Sequence, residues 1–210
     1  MRCAVFASGN GSNFQALLDK KASGGILHAD FVLAVGNNSK AGAFDKARAQ
    51  GIPVLHIAPS HFQTEEAYAD RLSAALSDAG IELIALAGYM KKLPPAVVAR
   101  YRNRILNIHP ALLPAFGGQG MYGSNVHKAV IEYGAKISGV TVHFVDDEYD
   151  RGPVILQKAV PVLDGDDAET LAARVLEAEH ECYWRAVEAV AAGKIKVVGR
   201  RVVWDDEKTV

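Results

Sequence analysis

The chain has 210 residues, 50% of them hydrophobic and 22% charged, which is enough apolar content to bury a sizeable core, and no stretch reads as a low-complexity linker. Lys and Arg number 23 against 24 Asp and Glu and are scattered along the chain, which argues against a nucleic-acid partner and leaves small molecules as the expected ones. Cys3 and Cys182 form neither a disulfide framework nor a CxxC metal pattern, and no apolar run approaches the roughly 18 residues a membrane span needs, so a cytoplasmic chain with reduced thiols and no membrane partner is expected.

RCAVFA (2–7) predicts a short buried strand, followed after SGNG by a helix in which Phe14, Leu17 and Leu18 recur at helical spacing. Ser12 with Gln15 three residues later makes a capping-box pattern at its start. FVLAV (31–35) is a second strand, a helix follows from Ala41, and PVLHI (53–57) is a third strand. TEEAYADRLSAALSDAG has a Thr start, an acidic first turn and a Gly stop, and it leads into IELIALAG, a strand apolar on both faces as a parallel sheet requires. PPAVVARY is a short helix headed by prolines, and RILNIH is a fifth strand.

Beyond it, GVTVHFV (139–145) and PVILQKAVPV (153–162) are expected to pair at the sheet edge. A long helix then carries Leu171, Val175, Ala178, Cys182, Ala186 and Ala189 to a stop at Gly193, and KIKVVGRRVVW closes as a hairpin about Gly199 and Arg200. The alternation implies an α/β fold in one domain: a Rossmann-like open, mostly parallel twisted sheet with helices on both faces and an antiparallel excursion near the C-terminal end.

In such sheets ligands bind beyond the carboxyl ends of the strands, so the loops there carry the candidate chemistry. In SGNGSN (8–13), Gly9 and Gly11 let backbone approach a ligand, and amides at the start of the next helix suit a phosphate; the glycines alone fit an empty tight turn equally well. A dinucleotide fingerprint would place a third glycine where Phe14 stands and an acid near GNN (36–38), and a Walker loop would end in Lys and Ser or Thr. Neither is present, which leaves a lone phosphate on a small substrate.

NIHPALLP (107–114) follows the fifth strand. Side chains alternate across a strand, so Asn107 and His109 share a face at its carboxyl end, and Pro110 stops further pairing. A histidine there is often purely structural; the acidic loop HFVDDEYDRGP (143–153) makes catalysis the better reading, with Asp150 the candidate carboxylate that favours a protonated ring. Asp146, Asp147 and Glu148 fit a solvated turn. An EF-hand would need Gly and Glu where Arg151 and Gln157 stand, and the histidines show no paired ligand spacing, so no metal is expected. Glu179, at the margin of the long helix's apolar stripe, is placed either to accept hydrogen bonds from ligand hydroxyls or to be held by a lysine or arginine.

With ASGNGSNFQAL, LAGYM, NIHPALLP, TVHFVDDEYDRGPVI and VLEAEH in this order and spacing, the chain resembles the phosphoribosylglycinamide formyltransferase family over nearly its whole length. The resemblance implies transfer of a formyl group from 10-formyltetrahydrofolate, a cosubstrate, to the amine of 5'-phosphoribosylglycinamide in purine synthesis, without a metal. It implies Asn107, His109 and Asp150 as catalytic residues, Gly11, Ser12, Asn13 and Glu179 as substrate-binding residues, and Met90, Lys91, Lys92 and Leu93 with Asn107 and backbone of 146–150 as the folate site. Residues 1–100 would then form a phosphate-binding βαβ half and 101–210 a catalytic and folate-binding half, working as a monomer or homodimer.

The chain departs from the pattern at Glu65, where some relatives have an arginine contacting folate. The glycine-rich stretch GGQGMYGSNVH after LLPAF reads as a lid or a loose loop, with His127 expected at the surface. The rivals are a formyltetrahydrofolate hydrolase and methionyl-tRNA formyltransferase, each expected to carry a further domain, and a non-catalytic module binding folate or a phosphate ligand.

Overall fold

A computed structural model describes residues 1–205. The elements in chain order are β1 (Arg2–Phe6), α1 (Ser12–Ala22), β2 (Asp30–Gly36), α2 (Gly42–Ala49), β3 (Val54–His56), a 3-10 turn (Pro59–His61), α3 (Glu65–Asp78), β4 (Leu83–Leu86) and α4 (Pro95–Arg100). Then follow β5 (Ile105–His109), α5 (Ser124–Tyr133), β6 (Ile137–Phe144), β7 (Val154–Pro161), α6 (Ala168–Ala191) and the hairpin β8 (Ile195–Val198) and β9 (Arg201–Trp204). Seven strands form one sheet in the order β3-β2-β1-β4-β5-β6-β7; β3 to β5 run parallel, and β6 and β7 pair antiparallel. The expected α/β architecture and its antiparallel end are both present.

Strand alternation divides the core between the two faces. Cys3, Val5 and Ala7 of the β1 segment pack with Phe14, Leu17 and Leu18 of α1 and with Leu171, Val175 and Cys182 of α6. Ala4 and Phe6 pack instead with Leu72 and Leu76 of α3 and Val97 of α4. Every residue of β4 is buried, which is why its run reads as continuously apolar. Among the described residues no helix is long and apolar enough to cross a membrane.

Three expectations change. Gly11, at φ 73°, is the N-cap of α1, so Ser12 lies inside the first turn and the capping box is not formed; Gln15 instead donates its amide to Asp19. Most strands are shorter than their apolar runs, because flanking residues turn toward the loops; β4, for example, spans Leu83–Leu86 within IELIALAG. The stretch expected to be loop contains α5, which buries Val126 and Val130 four residues apart and ends on Gly134 at φ 75°.

α6, capped by Asp167 in a capping box with Thr170, is tied to the sheet by more than apolar contact. The buried Tyr183 hydroxyl lies 2.8 Å from the Leu86 carbonyl and 3.3 Å from that of Leu106, at the carboxyl ends of β4 and β5. Tyr183→Phe is expected to lower unfolding free energy by about 1 kcal/mol, read in urea as a lower midpoint at unchanged slope; an unchanged midpoint would show that this tie is not stabilising.

Candidate active site

The site is assembled by the antiparallel pairing of β5 with β6. That register sets His143 opposite Asn107 and Thr141 opposite His109, so four polar side chains meet at the carboxyl end of β5. Thr141 is fully buried; its hydroxyl donates to the Ala111 carbonyl at 2.7 Å and accepts from Leu113 N–H at 3.0 Å, pinning the chain just after His109. Gln157 on β7 reinforces this, donating to the Leu113 carbonyl at 3.0 Å and to the Thr141 hydroxyl at 2.9 Å.

Asp150 reaches this cluster from the turn after β6. It adopts φ 55°, a conformation that Asp and Asn tolerate better than most residues. Gly152 keeps the turn tight: a Cβ there would lie 1.8 Å from the Phe144 carbonyl oxygen. The Asp150 carboxylate stands 3.6 Å from His109 Nδ1 and 3.5 Å from His143 Nε2, and accepts from Gly118 N–H at 2.8 Å. Burial raises its carboxyl, but the His143, His109 and Gly118 partners outweigh burial and hold it below the ordinary carboxylate range. Asp150 is an ionised side chain only 11% exposed.

His109 is 3% exposed, with Nε2 at 2.8 Å from the Phe116 carbonyl. Both ring nitrogens face acceptors, a setting suited to imidazolium. Burial nonetheless dominates: it lowers the pKa more than Asp150 and the Phe116 carbonyl raise it, so the net direction is below the ordinary histidine value. Asp150 thus acts on the ring in the expected direction, against a larger opposing effect of burial. His143 holds Asn107 in turn. Its Nδ1 faces the Phe144 carbonyl at 2.7 Å, and its Nε2 lies between Asn107 Nδ2 at 3.1 Å and the Asp150 carboxylate at 3.5 Å.

These groups border a cavity of about 710 Å³ whose wall includes Asn107, His109, His143 and Asp150. Met90, Lys91, Lys92 and Leu93 line it, as do Asp146, Glu148 and Tyr149, and Lys92 Nζ sits 5.6 Å from the centre of the Tyr149 ring. Leu93 is also buried in the core, whereas Met90, Lys91 and Lys92 are exposed. Asn13 and Glu179 also reach the wall, and Gly11 and Ser12 do not. Gly11 is pressed against α2, where a Cβ would lie 2.7 Å from that of Ala43. Glu65 opens α3, is exposed and does not line the cavity.

Glu179 is 7% exposed and accepts from Asn13 Nδ2 at 2.7 Å, so an amide holds it and not a lysine or arginine. Burial raises its carboxyl to about 7, with Asn13 opposing. Asn13 Oδ1 is buried without a protein partner, leaving an acceptor free for a ligand. His127, expected at the surface, is 6% exposed on α5 and lines the cavity.

Two contributors escaped the sequence reading. His143 stands in the quoted TVHFV stretch, two residues from Thr141, and the strand pairing that sets it against Asn107 is the signal that points to it. The second is the 116–118 loop, whose Phe116 carbonyl and Gly118 amide grip His109 and Asp150.

The formyl transferase profile matches residues 1–187. The chain belongs to the formyl transferase family. It is 45% identical over 196 residues to a chloroplastic phosphoribosylglycinamide formyltransferase of Arabidopsis thaliana, covering 93% of this chain and 67% of that protein. It is 40% identical to the phosphoribosylglycinamide formyltransferase of Escherichia coli K12, covering 94% of this chain and 90% of the relative. Thus the chain spans about two thirds of the plant relative's length and most of the bacterial one's. Among solved structures, glycinamide ribonucleotide transformylase 1 of Symbiobacterium toebii superposes with a TM-score of 0.91 at 39% identity, over 97% of this chain and 93% of that one. The matched span of this formyl transferase chain runs past Glu179, the last of the candidate site residues.

Two measurements test the electrostatics. The folded chain holds the Glu179 proton more tightly than the unfolded chain, so that contribution to stability is complete below 4.5 and lost as pH rises through about 7. Glu179→Gln is expected to shrink the stability difference between about pH 5 and about pH 8 by roughly 2–3 kcal/mol; an identical pH profile in the variant would refute the raised carboxyl. Asp150→Asn, which keeps the backbone geometry, is expected to move the His109 titration seen by NMR to lower pH. A titration that stays in place would uncouple the two groups.

Proposed function

We propose that the chain is a phosphoribosylglycinamide formyltransferase, carrying the formyl group of 10-formyltetrahydrofolate to the amine of 5'-phosphoribosylglycinamide in purine synthesis. The observation that carries this reading is the meeting of Asn107, His109 and Asp150 at one cavity, with Met90–Leu93 on one wall and Asn13 and Glu179 on another. The donor's ring system occupies the Met90–Leu93 side with backbone of 146–150. The acceptor's ribose hydroxyls meet Glu179, and its phosphate extends beyond the cavity wall at Asn13 toward the Gly11 and Ser12 end of α1.

The amine lone pair attacks the formyl carbon, the carbonyl electrons move onto oxygen, and a tetrahedral oxyanion forms. Asn107 donates an amide hydrogen to it, and His109 donates the Nε2–H that Phe116 holds in the free chain. Negative charge developing beside Asp150 favours the protonated ring and offsets the effect of burial. The tetrahedral centre collapses by breaking the bond to donor nitrogen, which takes up the proton lost by the attacking amine. Tetrahydrofolate and the formylated acceptor result, and no metal enters. Two free buried thiols suit a reducing, cytoplasmic setting, and because these groups all come from one chain, a monomer or a homodimer can carry the reaction.

Incubation with 10-formyltetrahydrofolate and phosphoribosylglycinamide is expected to yield formylated acceptor, with negligible formate when acceptor is withheld. Formate release at a comparable rate without acceptor would favour the hydrolase, and binding of both ligands without product the non-catalytic module. Asp150→Asn is expected to reduce kcat by about 10²- to 10⁴-fold with little change in donor affinity; full turnover would remove Asp150 from the mechanism.

A further inference from the structure

The strand order reverses between β1 and β4, which is where an open α/β sheet develops its binding crevice. The chain leaves β1 toward α1, packed in one core, and leaves β4 toward α4, packed in the other. Loops departing to opposite faces would part here. Ser8 joins them. Its N–H donates to the Gly88 carbonyl at 3.1 Å. Its Oγ accepts from Met90 N–H at 2.9 Å and donates to Asn37 Oδ1 at 2.6 Å. A single side chain, 9% exposed and outside the cavity wall, thus links the exits of β1, β2 and β4.

The two ligand loops differ in their other fastenings. Residues 9–13 are also held by Ala43 N–H on the Gly9 carbonyl at 3.3 Å and by Asn13 on Glu179 at 2.7 Å. The opposing segment has fewer ties. Met90, Lys91 and Lys92 are exposed, and the next buried anchor is Leu93. Among the described residues the N–H groups of Lys91 and Lys92 have no protein partner, so the bond from Met90 to Ser8 is the one backbone tie in this run of three.

We propose that Ser8 is a positioning residue for the formyl donor: its hydroxyl sets where the Met90–Leu93 backbone stands relative to Asn107 and His109, without itself contacting the donor. The idea rests on the reading of Met90–Leu93 as the donor segment. Ser8→Ala removes the acceptor for Met90 N–H and is expected to raise the donor KM by roughly 3- to 10-fold, while the acceptor KM moves by less than about 2-fold. Unchanged KM values, or a parallel rise in both, would overturn it.

A second measurement needs neither a variant nor activity. In the wild-type chain the Met90 amide is expected to exchange with solvent at least about tenfold more slowly than those of Lys91 and Lys92. Equal exchange would refute the tie even if Ser8→Ala failed to fold. A slow Met90 amide in a chain that transfers no formyl group would place the failure in the proposed reaction: the tie would stand and its donor-positioning role would fall.

Discussion

An ionised carboxylate held inside the protein is the constraint around which the site is arranged. Asp150 would be costly to bury alone, and its neighbours offset that cost with two imidazoles and a backbone amide. Each partner also has another task. His109 and Asn107 border the cavity, His143 orients Asn107, and Gly118 belongs to the loop that holds the far side of the His109 ring. Removing the charge therefore acts on His109, His143 and the Gly118 amide together. The balance at His109, with burial pulling one way and the carboxylate the other, leaves a ring whose protonation responds to charge developing nearby.

The reversal of chain direction at β6 makes this arrangement possible. The antiparallel β6 sets Thr141 and His143 directly against His109 and Asn107, and its exit turn supplies Asp150 within a few residues. Gly139 lets β7 approach on the other side, since a Cβ there would lie 2.2 Å from the Lys158 carbonyl oxygen. The sheet edge and the site are thus one construction, with Gln157 on β7 reaching back to Thr141.

Much of this was legible in the residue pattern. Apolar runs in the first half announced a parallel sheet because strands covered on both faces have little room for polar side chains, and Asn107 and His109 could be placed on one face by alternation alone. The approach of Asp150 to His109 depended on the pairing of distant strands, which periodicity does not encode, and was inferred from resemblance and chemistry. α5 was hidden because its start is flanked by glycines whose usual meaning is loop, although Val126 and Val130 carried a helical period. The burial that opposes Asp150 at His109 was hidden for a different reason: a carboxylate neighbour is visible in sequence, but the depth of burial emerges only from packing.

Glu179 carries a consequence beyond its place in the wall. A carboxyl with its midpoint near neutrality is a mixture of donor and acceptor, and a ligand hydroxyl that selects one form must shift that mixture. In the proposed reading, where the acceptor's ribose hydroxyls meet Glu179, ligand uptake would be coupled to proton exchange with the medium, and the heat of binding would include the ionisation heat of whichever buffer supplies or takes up the proton.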